Sequence, residues 1–190
     1  GDIQVNAAMR EELDGHAANG ARLLEAGGVA DPAWLEIVRH HHDDSNRHRA
    51  VGELSDLERA VALLRRVDMF AERLNRRGVR MPVLPVQAAR EACLGADGRP
   101  DQIGAALLKS VGLYPPGSFV QLVNGETGIV VARGKQANLP VVAVLRSQTG
   151  VPLVSPSLRD TADKRHAVKC GVGVEAVNVL PPHDRLVAMR

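Results

Sequence analysis

Asp31-Pro32-Ala33-Trp34-Leu35-Glu36-Ile37-Val38-Arg39-His40-His41-His42-Asp43-Asp44 is the stretch on which the reading of this chain turns. Asp31 has the short acceptor side chain that suits an N-cap, and Pro32 suits the first helical position, where a missing N–H costs nothing. Trp34, Ile37 and Val38 then recur at helical spacing, which predicts a helix with one apolar face. That face runs on into His41 and His42, whereas His40 falls one turn after Glu36 on the wet side. Two imidazoles are thus predicted to point at the core, within a run that holds three of the seven histidines.

Working outward, the same oddity recurs on both flanks. Upstream, Met9, Leu13, Gly20 and Leu24 form an apolar seam in which His16 takes a position that should be hydrophobic. Downstream, Ser55-Asp56-Leu57-Glu58 has the form of a capping box, and the face through Leu57, Val61 and Leu64 reaches Asp68 at its next inward position. An ionised carboxylate facing a core is costly unless paired or bound to a metal. Three helices with polar donors on their apolar faces therefore point to one shared metal site made of His16, His41, His42 and Asp68. Singly, His16 and Asp68 also have plainer readings: His16 as a hydrogen-bonded core histidine, Asp68 as the ion-pair partner of Arg65, Arg66 or an arginine of another helix.

Composition bounds what else the chain does. Its 190 residues suffice for a sizeable core, in one domain or a larger plus a smaller one. Apolar residues make up 45% and charged residues 24%, ordinary for a soluble protein, but aromatics make up only 2%. So few stacking platforms argue against a single-strand nucleic-acid binder. The net charge of +2 is weak support for any polyanionic partner, although Arg65, Arg66, Arg73, Arg76, Arg77 and Arg80 crowd one interval, either for phosphate recognition or as a solvated helix face. Cys93 and Cys170 are isolated, which fits a reducing cytoplasm and forms no cysteine zinc motif. Neither a signal peptide nor a membrane-length apolar run is visible, so a cytoplasmic location is expected. The opening Gly1-Asp2, without methionine, reads as part of a longer protein.

Organisation changes near Gly112. Before it, helical periodicity dominates, over residues 9–26, 32–42, 55–75, 85–94 and a helix started by Asp101 with Ile103, Leu107 and Val111 inward. Gly112 supplies a stop, and Pro115-Pro116-Gly117 breaks helix outright. After it come β-branched runs at 119–123, 127–132, 140–145 and 176–180, with a last short strand over 186–189 and Asn124-Gly125 as a hairpin turn. His166 and His183 fall among turn residues and read as surface histidines. The expected division is a helical domain over residues 1–112 and a small β-rich extension over 113–190.

In that order, the motifs resemble the HD-GYP phosphodiesterases, helical metal enzymes that hydrolyse the bacterial messenger cyclic di-GMP. His16-Ala17-Ala18-Asn19-Gly20 looks like the family's helix with a histidine followed four positions later by glycine. Leu35 through Asp43 looks like its paired-histidine helix, with His41 and His42 as the pair. Leu64-Arg65-Arg66-Val67-Asp68-Met69-Phe70 is similar to the later helix bearing a metal-binding aspartate, and Arg77 with Arg80 matches the basic positions beyond it. Residues 112–126 look like the β extension that follows many members. Departures are equally specific: no His-Asp pair precedes His16, and Ser45-Asn46-Arg47-His48-Arg49 stands where the glycine-tyrosine-proline loop should be.

The resemblance implies a mainly α fold, an HD-type helical bundle followed by a small β-rich module. It implies a divalent metal, Fe, Mn or Zn, on His16, His41, His42 and Asp68, a phosphodiester or cyclic dinucleotide as substrate, and Arg77 and Arg80 as the residues that hold its phosphates. Bridging a second metal needs the carboxylate of the missing His-Asp pair, so weak or no hydrolysis is expected of this chain. The alternative is a non-catalytic cyclic-dinucleotide sensor or protein-interaction module in signalling. A nucleotide phosphohydrolase of the wider HD group is a third.

Overall fold

A computed structural model describes residues 12, 15–43, 45, 49–74, 83–95, 97–179 and 183–189. Among them are seven short helices, α1 (His16–Ala26), α2 (Pro32–His40), α3 (Asp56–Leu74), α4 (Pro85–Ala92), α5 (Gln102–Val111), α6 (Val174–Val177) and α7 (His183–Val187). Five strands accompany them, β1 (Phe119–Leu122), β2 (Thr127–Ala132), β3 (Val141–Arg146), β4 (Pro152–Asp160) and β5 (Val168–Val172). The mainly α, HD-type helical bundle expected from the sequence is thereby corrected. The protein is mixed α/β, with 46% of the described residues helical and 20% in strands, and an antiparallel sheet in the order β4-β3-β2-β1-β5. No helix among the described residues is long and apolar enough to cross a membrane.

Two compact units divide the chain: Gly1–Pro82 with Ala92–Ala105, and Val83–Glu91 with Ala106–Arg190. In the first, small residues let helices approach. Ala17 and Ala21 are buried on α1, and a Cβ at Gly20 would stand 3.3 Å from Cγ1 of Val38 on α2. Asp31 caps α2 by accepting from the backbone N–H groups of Ala33 (2.9 Å) and Trp34 (3.3 Å). At the start of α3 the Ser55 N–H donates to Glu58 Oε2 (2.7 Å) while the Glu58 N–H donates to Ser55 Oγ (3.3 Å), a reciprocal capping box. The apolar faces are shallower than their periodicity suggests. Trp34 is 50% exposed and Leu57 38%, because a nine-residue helix covers little of its neighbours.

The second unit builds its core on the sheet. Val120, Leu122, Val130, Val142 and Val144 pack together with Tyr114, Leu153 and Val168 against them, while Val131, Ala143 and Leu186 form a separate cluster with Ile129, Val141 and Met189. Register shifts between Val130 and Ala132 and between Val144 and Arg146 re-aim β2 and β3. The β1–β2 turn closes one position earlier than an Asn-Gly pair at its centre implies: the Gly125 N–H donates to the Leu122 carbonyl (3.0 Å), and Gly125 itself takes φ +90°. β4 and β5 were not foreseen, since Pro152 and Pro156 interrupt one and Gly171 the other. Conversely, the runs expected as strands near 176 and 186 are helical, and Asn178, at φ +45°, ends α6. The expected helix start at Met9 with Leu13, the helix end at Asn75, and Leu180 lie outside the described residues.

Candidate metal centre

Three elements of the first unit bring the donors together. His16 is the first residue of α1, His41 the C-cap of α2, His42 the residue after it, and Asp68 stands on α3. The α2 helix ends at His40, so the paired histidines sit just past its last turn. Each of the four offers one ligand atom, and these atoms all lie within 4.8 Å of one another. His16 Nε2 is 3.1 Å from His41 Nε2 and 3.0 Å from His42 Nε2, and His42 Nε2 is 3.7 Å from Asp68 Oδ2. A tetrahedral ion with bonds of about 2.0–2.1 Å holds its ligand atoms about 3.3 Å apart, a spacing these distances straddle. The group could hold a metal ion.

Hydrogen bonding prepares one of these imidazoles. His41, which is buried, has Nδ1 2.6 Å from the Val38 carbonyl oxygen. A carbonyl only accepts, so Nδ1 carries the proton and donates it. The neutral ring then presents the lone pair of Nε2 to His16 and His42, which is the tautomer a metal ligand needs. The rings cannot all be protonated on Nε2 at these separations. For His42, burial together with the neighbouring His41 and His16 pulls the pKa below the ordinary histidine value, with Asp68 opposing. A neutral imidazole is the form that coordinates.

Charged groups around the cluster make contacts of their own. Arg66 pairs with Asp101, whose carboxylate also accepts from the Gly104 N–H at the start of α5. Arg65 Nη1 donates to the Asp43 backbone carbonyl at 3.5 Å, and the partner seen for Asp68 is His42. His40 faces away and meets Glu36 one turn back, at 3.3 Å. Asp43 accepts from the Ser45 N–H (2.9 Å), and Ser45 holds its carboxyl below the usual range. Arg77 and Arg80 lie outside the described residues. Sequence reasoning missed the Val38 carbonyl as the group that fixes His41, although the three-residue spacing between them on α2 was the available signal.

No protein family, curated protein or solved structure matches the chain.

Proposed function

We propose that His16, His41, His42 and Asp68 bind a divalent first-row ion, Fe, Mn or Zn, and that the chain is a divergent phosphodiesterase of the HD-GYP type acting on cyclic di-GMP, with weak turnover. The observation that carries this reading is the convergence of three imidazoles and a carboxylate within 4.8 Å, with His41 held in the ligating tautomer by Val38. Imidazole with carboxylate suits Zn, Fe and Mn alike. When bound, such an ion polarises a phosphoryl oxygen and acidifies a coordinated water.

The chain's own residues then divide the remaining work. Asp68, 3.7 Å from His42, would hold the ion alongside the three imidazoles and offset its charge. Arg77 and Arg80 belong to the proposal as forked donors to the substrate phosphates, on the strength of sequence alone. Weak turnover is expected because the four donors suffice for one ion, and the carboxylate that would bridge a second is not among them.

A second reading, a non-catalytic cyclic-dinucleotide sensor or signalling interaction module, draws on the same count. Four protein donors closing a tetrahedral ion would leave no open position for water, the pattern of a structural site. Metal analysis of the purified chain, with product analysis on cyclic di-GMP, tests both. The expected result is one ion per chain, lost when His41 and His42 both become alanine, with slow release of linear product. Metal without product favours the sensor, and a chain that takes up no Fe, Mn or Zn sinks the phosphodiesterase and leaves only the non-catalytic module.

A further inference from the structure

The turn between β1 and β2 carries Asn124-Gly125, a pair able to react within the chain itself. Glycine has no Cβ to shield its amide nitrogen, so that nitrogen can reach the carboxamide carbon of the asparagine before it. In the turn both reacting groups are engaged. The Gly125 N–H donates to the Leu122 carbonyl at 3.0 Å. Asn124 Oδ1 accepts from the Glu126 N–H at 3.0 Å, and Asn124 Nδ2 donates to Glu126 Oε2 at 2.9 Å. Glu126 is fixed in its turn: it is 7% exposed, and Arg159 on β4 donates to both its oxygens, from Nε at 2.9 Å and from Nη2 at 2.7 Å.

We propose that Asn124 is a deamidation site latched by the Glu126–Arg159 pair, and that its conversion runs one way. The reaction starts when the turn opens and the Gly125 amide loses its proton to solvent base. Its nitrogen then bonds to Asn124 Cγ, the Cγ–Nδ2 bond breaks, and Nδ2 leaves as ammonia after taking a proton from water. Water opens the resulting cyclic imide at either carbonyl, giving aspartate or isoaspartate. The net change is one water in and one ammonia out, and nothing in it draws on the metal centre. Aspartate sets an oxygen where Nδ2 stood, 2.9 Å from Glu126 Oε2, so two carboxylates face each other and the latch does not close again. Isoaspartate adds a methylene to the backbone of a turn that closes on the Leu122 carbonyl. Asn19-Gly20 is the same dipeptide on α1, where helical hydrogen bonding commits the glycine amide to the carbonyl four residues back.

The rate at Asn124 measures the latch. Opening the turn gives up a backbone hydrogen bond and a charge-assisted one, together worth about a hundredfold in the population able to react. The chain is aged in mildly alkaline buffer beside a synthetic peptide of residues 120–128, and conversion is read by peptide mapping that resolves isoaspartate. Asn124 is expected to convert about a hundredfold more slowly in the chain than in the peptide, and in Arg159→Ala within about tenfold of the peptide. Exchange protection kept at the Val130 amide, which donates to the Ser118 carbonyl at 2.8 Å, shows that the variant is folded. Should Val130 lose it, the wild type alone decides: the protection of its Gly125 amide should match the slowing, because exchange and cyclisation both start from the freed N–H. Equal rates in chain and peptide, equal rates in wild type and folded Arg159→Ala, or a slowing more than about tenfold away from the Gly125 protection would overturn the proposal. Asn124→Asp, the converted chain made directly, should unfold at lower denaturant than Asn124→Ala at neutral pH but not below the carboxylate range. No difference at neutral pH sinks the one-way step.

Discussion

Replacing His42 by alanine separates metal binding from folding, because the side chain is 48% exposed and lies beyond the end of α2. Without metal, such a surface change should move stability by no more than about 0.5 kcal/mol. With metal at 100 times its dissociation constant, the wild type gains about 2.7 kcal/mol, which for a domain of 60–100 residues raises the midpoint by roughly 10–20 °C. Should the loss of one donor in four weaken binding 100-fold, the same metal concentration stabilises the variant by only about 0.4 kcal/mol, or about 2–3 °C. Trp34 is the single tryptophan and sits on α2, so its fluorescence during heating reports on the unit that holds the cluster. Melts with Zn, Mn or Fe(II), against chelator, give the comparison. Equal metal-induced shifts in wild type and His42→Ala, or no shift in the wild type, would refute the assignment of His42 as a ligand.

Three further outcomes can be measured in the same way. Arg159 ahead of Asn124 holds the Glu126 carboxyl below its usual 4.5, against burial, so the pair's stabilisation is present above that pH and disappears as pH falls through the lower folded value. Glu126→Gln should therefore cost about 3 kcal/mol at pH 7 and flatten the acid limb of the stability profile, and an unchanged acid limb counts against the pair. A Cβ at Gly104 would come within 2.2 Å of the Cys93 carbonyl oxygen, so Gly104→Ala should destabilise by at least about 2 kcal/mol in chemical unfolding, and a neutral result contradicts that packing. Asp31→Ala removes the cap of α2 and should cost about 1 kcal/mol, with metal uptake retained; a loss below a few tenths means the cap does little.

How much of this was legible in the sequence varies from element to element. Helix starts at Asp31, Ser55 and Asp101 were readable because a capping side chain is a local signal, settled within three or four residues. The donor set was readable for a related reason: a histidine or aspartate on an otherwise apolar face stands out against the helical period. What failed was depth and proportion. Periodicity marks Trp34 and Leu57 as inward but says nothing of how much surface a short helix finds to pack against. The sheet was underestimated because β4 mixes Ser155, Pro156 and Ser157 among its apolar residues, and such a pattern resembles a loop until a neighbour supplies its hydrogen bonds. Family resemblance then extended the helical reading to the whole fold. The tautomer of His41 depends on a backbone oxygen, which no side-chain pattern records.

β4 ends the sheet in the order β4-β3-β2-β1-β5, and on it Val154 is 96% exposed. A terminal strand carrying a bare valine invites another chain to add itself in register, the first step toward insoluble aggregates. Pro152 and Pro156 lie two residues to either side of it, and neither has an N–H to offer an incoming strand. Pro152 and Pro156 thus leave two gaps in the row of donors that an added strand would need, and Arg185 already occupies the Val154 carbonyl between them.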